Sequence, residues 1–387
     1  MGPTGKRTRP SAKLPLGVYI AVCLLPVVLT ALYYLYRADT GAMDWAASRI
    51  SAPVRRALSL LSSAFPFSLM ELICAAAGIW LICYVIRTIV LIIRRRSKLR
   101  ILAKRTVTIL VTALYAWCLF CWLWNCGYRA RGFADKNGFA GGGVSVEYLT
   151  AVTRLFAEKS NECSLLVTRD SDGRYSGDRR DFFDVSPLIY QNIAAEFPSL
   201  EGKVQRPKSM MFSWLMSRTG YTGVYFALTG ESNINVRAPM FLMPATIAHE
   251  LAHQLGVFAE DEASFVGIMA CITSGYTDYE YAGYMIGLMY LRNALYSADY
   301  SAWADISGGL RDEVIRDLQD NYDYWESQKT VDTGVTFFDN LLTSVTETVS
   351  DTVNTTYDNY LKAQDQHLGI RSYGACVDLL VEYYARD

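Results

Sequence analysis

The sequence predicts an α+β protein, mostly α, in which three N-terminal transmembrane helices precede a soluble domain on the extracytoplasmic side. Three observations predict it. Of 387 residues, 51% are hydrophobic, at the upper edge for an ordinary soluble protein, and the excess is gathered in three apolar runs near the N-terminus. A Gly-rich, charged stretch then separates these runs from the remainder. Beyond it helical patterns dominate, with one short region of β-branched and aromatic residues.

The apolar runs cover about 14–36, 67–93 and 107–128. Each is close to or above the roughly 20 residues needed to cross a hydrocarbon core about 30 Å thick. Pro26 is tolerated in the first run, because membrane helices find other partners for the backbone groups that proline frees. That run is longer than a typical signal core and ends in Tyr33, Tyr34, Leu35 and Tyr36, which favours a span over a cleaved leader. Arg87 falls late in the second run, so the span ends near it or the side chain snorkels toward the basic side.

Orientation follows from the positive-inside rule. The leader carries Lys6, Arg7, Arg9 and Lys13, and the link between the second and third runs carries Arg94, Arg95, Arg96, Lys98, Arg100, Lys104 and Arg105. Both belong in the cytoplasm. The link between the first two runs is longer, and Asp39 and Asp44 dilute its arginines. The expected organisation is a membrane anchor over 1–129, a Gly-rich linker over 130–143 and an extracytoplasmic domain over 144–387. Topology and anionic lipid account for the basic link, and the net charge is only -1, so the lipid bilayer is an expected partner and nucleic acid is not.

Nine cysteines give no disulfide framework. Six lie in or at the end of the apolar runs, and Cys163, Cys271 and Cys376 show no paired spacing.

In the soluble part a helix is expected at about 145–160 and another around 185–197. "TGVYFALTGESNIN" (222–235) has the composition of a strand broken by Gly230. "APMFLMPATIAHELAHQLG" reads as a short extended segment and then a helix, with Pro244 in its first turn and Gly256 as its stop. A further helix starts at Ala259 or Glu260, with an acidic first turn that suits the helix dipole. A Tyr-rich helix at about 278–297 and further helical segments complete the chain.

The chemistry concentrates in "HELAH". His249 and His253, four residues apart, leave the same face of a helix one turn apart. Two imidazoles so placed can meet one zinc ion at about 2.0–2.1 Å. Glu250 points about 100° away, where it can reach a water at the open metal position and act as general base. The surrounding Ile247, Ala248, Leu251, Ala252 and Leu255 suit a buried active-site helix. A catalytic zinc needs a third protein ligand, and Glu260 and Glu262 compete for it. Glu260 is slightly favoured because Glu260-x-x-Ala263-Ser264 resembles the ExxAD or ExxAN pattern of several HExxH families, whereas Glu262 lies nearer the apolar face of Phe265, Val266 and Met269. His367 and Tyr373 are candidates for stabilising a tetrahedral intermediate. The strand "GVYFAL" offers an edge on which an extended substrate can pair.

Three N-terminal spans followed by "GVYFALTGESNIN", "ATIAHELAHQLG", "EDEASF" and "YLKAQDQHLGIRSYG" resemble an uncharacterised bacterial family of membrane proteins known only as a domain of unknown function. More distantly, HExxH followed by a glutamate on the next helix resembles the gluzincin metallopeptidases. That resemblance implies a zincin-like fold and a zinc-dependent peptidase that hydrolyses peptide or protein substrates, with His249, Glu250, His253 and Glu260 or Glu262 at its centre. Ser264 departs from it, standing where those patterns usually have Asp or Asn. The alternative expectation is a non-catalytic cell-envelope binding or sensor protein that retains the fold.

Overall fold

The computed structural model describes residues 15–94, 97–140, 145–330, 336–363 and 373–386. Among these, the helices of ten residues or more are α1 (Leu16–Tyr36), α2 (Ala52–Ser63), α3 (Leu69–Arg94), α4 (Lys98–Phe120), α5 (Val146–Ser164), α6 (Met243–Leu255), α7 (Glu260–Ile272), α8 (Thr277–Ala298), α9 (Asp312–Gln328), α10 (Thr336–Ala363) and α11 (Tyr373–Ala385). A small sheet of β1 (Lys208–Ser209), β2 (Gly223–Phe226) and β3 (Glu231–Ile234) lies between α5 and α6 in sequence. The expectation of a mostly helical α+β protein is met.

Two helices among the described residues are long and apolar enough to cross a membrane. They are Leu69–Arg94 and the continuous Lys98–Tyr128, which extends α4 through a π-helical turn at Cys121–Asn125. Three spans were expected. The first run forms α1, 21 residues long, but only its part Ile20–Tyr36 stands as an apolar helix among the described residues, below the length of the other two. α1 instead shows contacts with α4: Tyr115 Oη donates to Val22 O at 2.6 Å and Trp122 Nε1 to Leu29 O at 3.0 Å. The basic link is also shorter than the charge pattern suggested, because Lys98, Arg100, Lys104 and Arg105 already belong to the first turns of α4.

Helix starts and stops follow local chemistry. The Ser145 side chain caps α5 by accepting from Tyr148 N. Pro244 sits in the first turn of α6, and Gly256, at φ +96°, closes it. The helix expected around 185–197 is broken into Arg179–Val185, a 3₁₀ turn at Ser186–Leu188 and Ile193–Glu196. Pro187 lacks the N–H that a continuous helix would need there. The 222–235 segment forms the β2–β3 hairpin, antiparallel with Tyr225 opposite Ser232, and β1 adds parallel to β3. The order β1-β3-β2 leaves β2 at an edge.

The main core joins α5, α6, α7, α8 and α11 around Phe156, Ile247, Leu251, Phe265, Met285 and Leu380. Burying such a side chain contributes roughly 1.5–3 kcal/mol. The stretch expected to be a linker is, up to Ala140, packed onto this core: Phe133 and Phe139 are buried against Phe197 and Phe265. Segments before residue 129 also join the soluble part. Glu231 accepts from Leu69 N (3.1 Å) and Met70 N (2.9 Å) at the start of α3. Reciprocally, Glu71 in the first turn of α3 accepts from Met211 N (2.9 Å) and Phe212 N (2.8 Å). Contacts therefore do not thin out at residue 129.

Candidate metal centre

α6 carries His249 and His253 on one face, and the Gly256 turn brings α7 back so that its first residue, Glu260, meets them. One ligand atom from each of the three side chains lies within 4.8 Å of the others. His249 Nε2 is 3.2 Å and His253 Nε2 is 3.7 Å from Glu260 Oε2. The imidazoles stand nearly perpendicular, their centroids 4.8 Å apart. His253 is almost wholly buried, while His249 and Glu260 keep about a fifth of their side chains open, so the cluster is reachable from one side.

Outer contacts orient these side chains. His253 Nδ1 lies 2.7 Å from Val257 O, and since a carbonyl can only accept, Nδ1 carries a proton and Nε2 is the nitrogen turned toward Glu260. Ser264 Oγ lies 3.3 Å from His249 Nδ1, so the serine that departs from the usual Asp or Asn still stands in the orienting position. Burial opposes charge on both His253 and Glu260. Their mutual attraction outweighs it, raising His253 to about 9 and holding Glu260 well below the usual carboxylate range.

Glu250 is buried, and its Oε2 has no hydrogen-bond partner. Burial raises its pKa, against the pull of His249 and His253. β2 runs directly past this carboxylate: a Cβ on Gly223 would lie 2.7 Å from Glu250 Oε1, so only glycine leaves the carboxylate its position. Two imidazole nitrogens and a carboxylate, with a buried acid whose one oxygen lacks a partner beside them, are a donor set that suits a divalent transition metal.

Glu262 is placed elsewhere. Its carboxylate accepts from Phe133 N (2.8 Å) and Ala134 N (2.9 Å), capping the short helix Phe133–Lys136. Burial raises it to about 7, against the pull of those N–H groups. His367 and the Tyr373 side chain lie outside the described residues.

Three residues that sequence reasoning missed surround the cluster. Tyr357 of α10 donates from its hydroxyl to Glu260 Oε1 at 2.6 Å. The Trp124 ring packs edge-on against His253, with centroids 5.4 Å apart. Arg55 of α2, buried, donates to His253 O at 3.0 Å and to Tyr225 Oη at 3.3 Å, and lies 4.9 Å from the Phe258 ring centroid. A cation there complements the C-terminal end of the α6 dipole. No spacing signal marks any of the three, because each reaches the site from a distant part of the chain.

A family model described as "Protein of unknown function (DUF3810)" matches residues 48–381. No curated protein matches the chain. No solved structure matches it either.

Proposed function

Since the chain belongs to the DUF3810 family, whose description carries no activity, we propose its function from the site: a membrane-anchored zinc-dependent metallopeptidase that hydrolyses peptide bonds at the extracytoplasmic face. The observation that carries this reading is the convergence of His249, His253 and Glu260, with Glu250 buried beside them.

His249, His253 and Glu260 would hold the metal, and Glu262 would not. Zinc bound there supplies a Lewis acid that polarises a carbonyl and activates water near neutral pH. Glu250 accepts a proton from the attacking water and returns it to the leaving amine. β2, at the sheet edge next to Glu250, offers backbone groups on which an extended peptide can pair as an added strand. His253 is held in one tautomer by Val257 O, which spares the site a reorganisation when the substrate arrives.

The anchor is read as three spans, α1, α3 and α4, with the N-terminus and the basic 94–105 segment in the cytoplasm. α1 remains a span in this reading because residues 14–36 are uncharged throughout and the helix leans along α4.

The test uses the full chain in detergent, because Arg55 and Trp124 belong to the site. Zinc content is measured alongside cleavage of a fluorogenic peptide library by the parent and by Glu250→Gln. Stoichiometric zinc in both, with cleavage reduced by about 10²–10⁴ in the variant, is expected. A folded, zinc-supplied protein that holds no zinc would sink the reading.

A further inference from the structure

We propose that the His249–His253–Glu260 cluster works at the outer surface of the bilayer, held there by an apolar collar bedded in the lipid headgroup layer, and that it takes a polypeptide tethered to the same membrane. The substrate half rests on the metallopeptidase reading. The depth half rests on α3, α4 and the collar at the start of α3, and the side of the membrane on the orientation read above.

Depth follows from α4. Tyr84 Oη donates to Arg105 O at 3.1 Å, setting α3 and α4 side by side with Arg105 near the basic end. From Thr106 to Tyr128 the chain carries no charged residue, and the first twenty of these residues, at about 1.5 Å each, cross a hydrocarbon core about 30 Å thick. Trp124 therefore falls at the outer edge of that core, and its ring is 5.4 Å from His253. A second tie runs through α10: Tyr360 Oη donates to Asn125 Oδ1 at 2.6 Å, and Tyr357, one turn earlier, donates to Glu260.

The collar surrounds the start of α3. Met211, Phe212, Trp214 and Leu215 are 69, 43, 50 and 45% exposed, a concentration of apolar surface that water alone does not explain. The Glu71 carboxylate pins Met211 and Phe212 to the first turn of α3. Phe65 and Phe67, rings 5.7 Å apart and both exposed, continue the belt, and Lys208 Nζ donates to Phe65 O to join the two parts. Lipid is the occupant because the collar runs straight into the face of α3, where Leu72 and Ile73 are exposed and no residue of the most apolar stretch is buried. Aromatic residues favour this interfacial layer.

A site at this height meets chains within a few residues of their membrane anchor. Such a chain is presented at high effective concentration, whereas a free peptide gains nothing from the collar.

Depth is tested with the full-length protein in nanodiscs, with a fluorescent amino acid at Met211 or, as a mid-helix reference, at the exposed Ile79, and lipids brominated in the upper acyl chain. Quenching at both positions is expected. An unquenched probe at 211 beside a quenched one at 79 overturns the collar, and an unquenched probe at 79 overturns the membrane placement altogether. For the substrate, zinc-loaded protein in the same discs is offered one degenerate peptide library, either lipid-anchored or free. The anchored form should be cut at least about tenfold faster. Equal rates overturn the tethered substrate. If neither library is cut, the substrate half falls with the peptidase reading, and the quenching result still decides the depth.

Discussion

The hydroxyl of Tyr357 donates a 2.6 Å hydrogen bond to Oε1 of Glu260, while Oε2 of the same carboxylate faces His249 and His253. Glu260 is thus held from behind by a phenol 97 residues further along the chain, which leaves one oxygen pointed at the cluster. Tyr357→Phe removes that hold and little else. Zinc affinity should fall by about 10- to 100-fold, the usual cost of losing an orienting partner, as read by chelator competition, with the far-UV spectrum unchanged.

Glu260 and Glu262 make a direct contrast. Glu260→Ala should abolish stoichiometric zinc in the purified full chain. Glu262→Gln should keep zinc and lose stability, by about 1–3 kcal/mol, because the amide oxygen accepts only one of the two N–H groups that the carboxylate serves. Loss of zinc from the Glu262 variant with Glu260→Ala still loaded would reverse the assignment.

Gly223→Ala acts on Glu250, the proposed base, without touching the three proposed ligands. The added Cβ would overlap the Glu250 carboxylate, pushing it off the position beside the imidazoles. Cleavage should drop by about 10²-fold or more while zinc content stays at the parent level, a pair of readouts that separates displacement of the base from loss of the site.

Arg55 ties α2 to the end of α6, to Tyr225 and to Phe258. Arg55→Ala leaves the buried His253 carbonyl short of a charged donor, and should destabilise the protein by about 2–3 kcal/mol. The thermal midpoint of the detergent-solubilised chain should fall accordingly, with zinc-dependent stabilisation reduced.

Asp44 reports on acid. Partial burial pushes its carboxyl up, but the Arg131 side chain and backbone N–H outweigh that and hold it below its usual value. A folded pKa lower than the unfolded one contributes stability that is complete above about pH 4, the ordinary aspartate range, and is lost as pH falls through the folded value. Asp44→Asn should therefore melt below the parent at pH 7, and the two curves should converge in strong acid. Differential scanning fluorimetry across pH checks it.

Local signals made α6 legible. Pro244 and Gly256 bracket it, and the histidine spacing places both rings on one face. The choice between Glu260 and Glu262 was not legible. Two positions on a helix point about 200° apart, and which of them turns to the histidines depends on how the chain enters α7 after Val257 and Phe258. That entry is set by packing against Trp124 and Arg55, which lie in segments that composition assigned to the membrane anchor. The hairpin of β2 and β3 was visible in its residue types. Its role beside Glu250 was not, because Gly223 shows its purpose only when the carboxylate is in view. The apolar runs gave α1, α3 and α4 their lengths, 21, 26 and 23 residues.

The exchange of caps between Glu231 and Glu71 has a consequence for how this protein can be cut or trimmed. Each acid sits on one side of the junction and satisfies backbone N–H groups on the other, so α3 and the sheet share their ends. A fragment beginning after Tyr128 would lose Arg55, Trp124 and the start of α3 together, would strip Glu231 of its two backbone donors, and would leave the Met211 and Phe212 N–H groups without their acceptor. The part that follows Tyr128 therefore shares its hydrogen bonds with α2 and α3 and is not closed off from them.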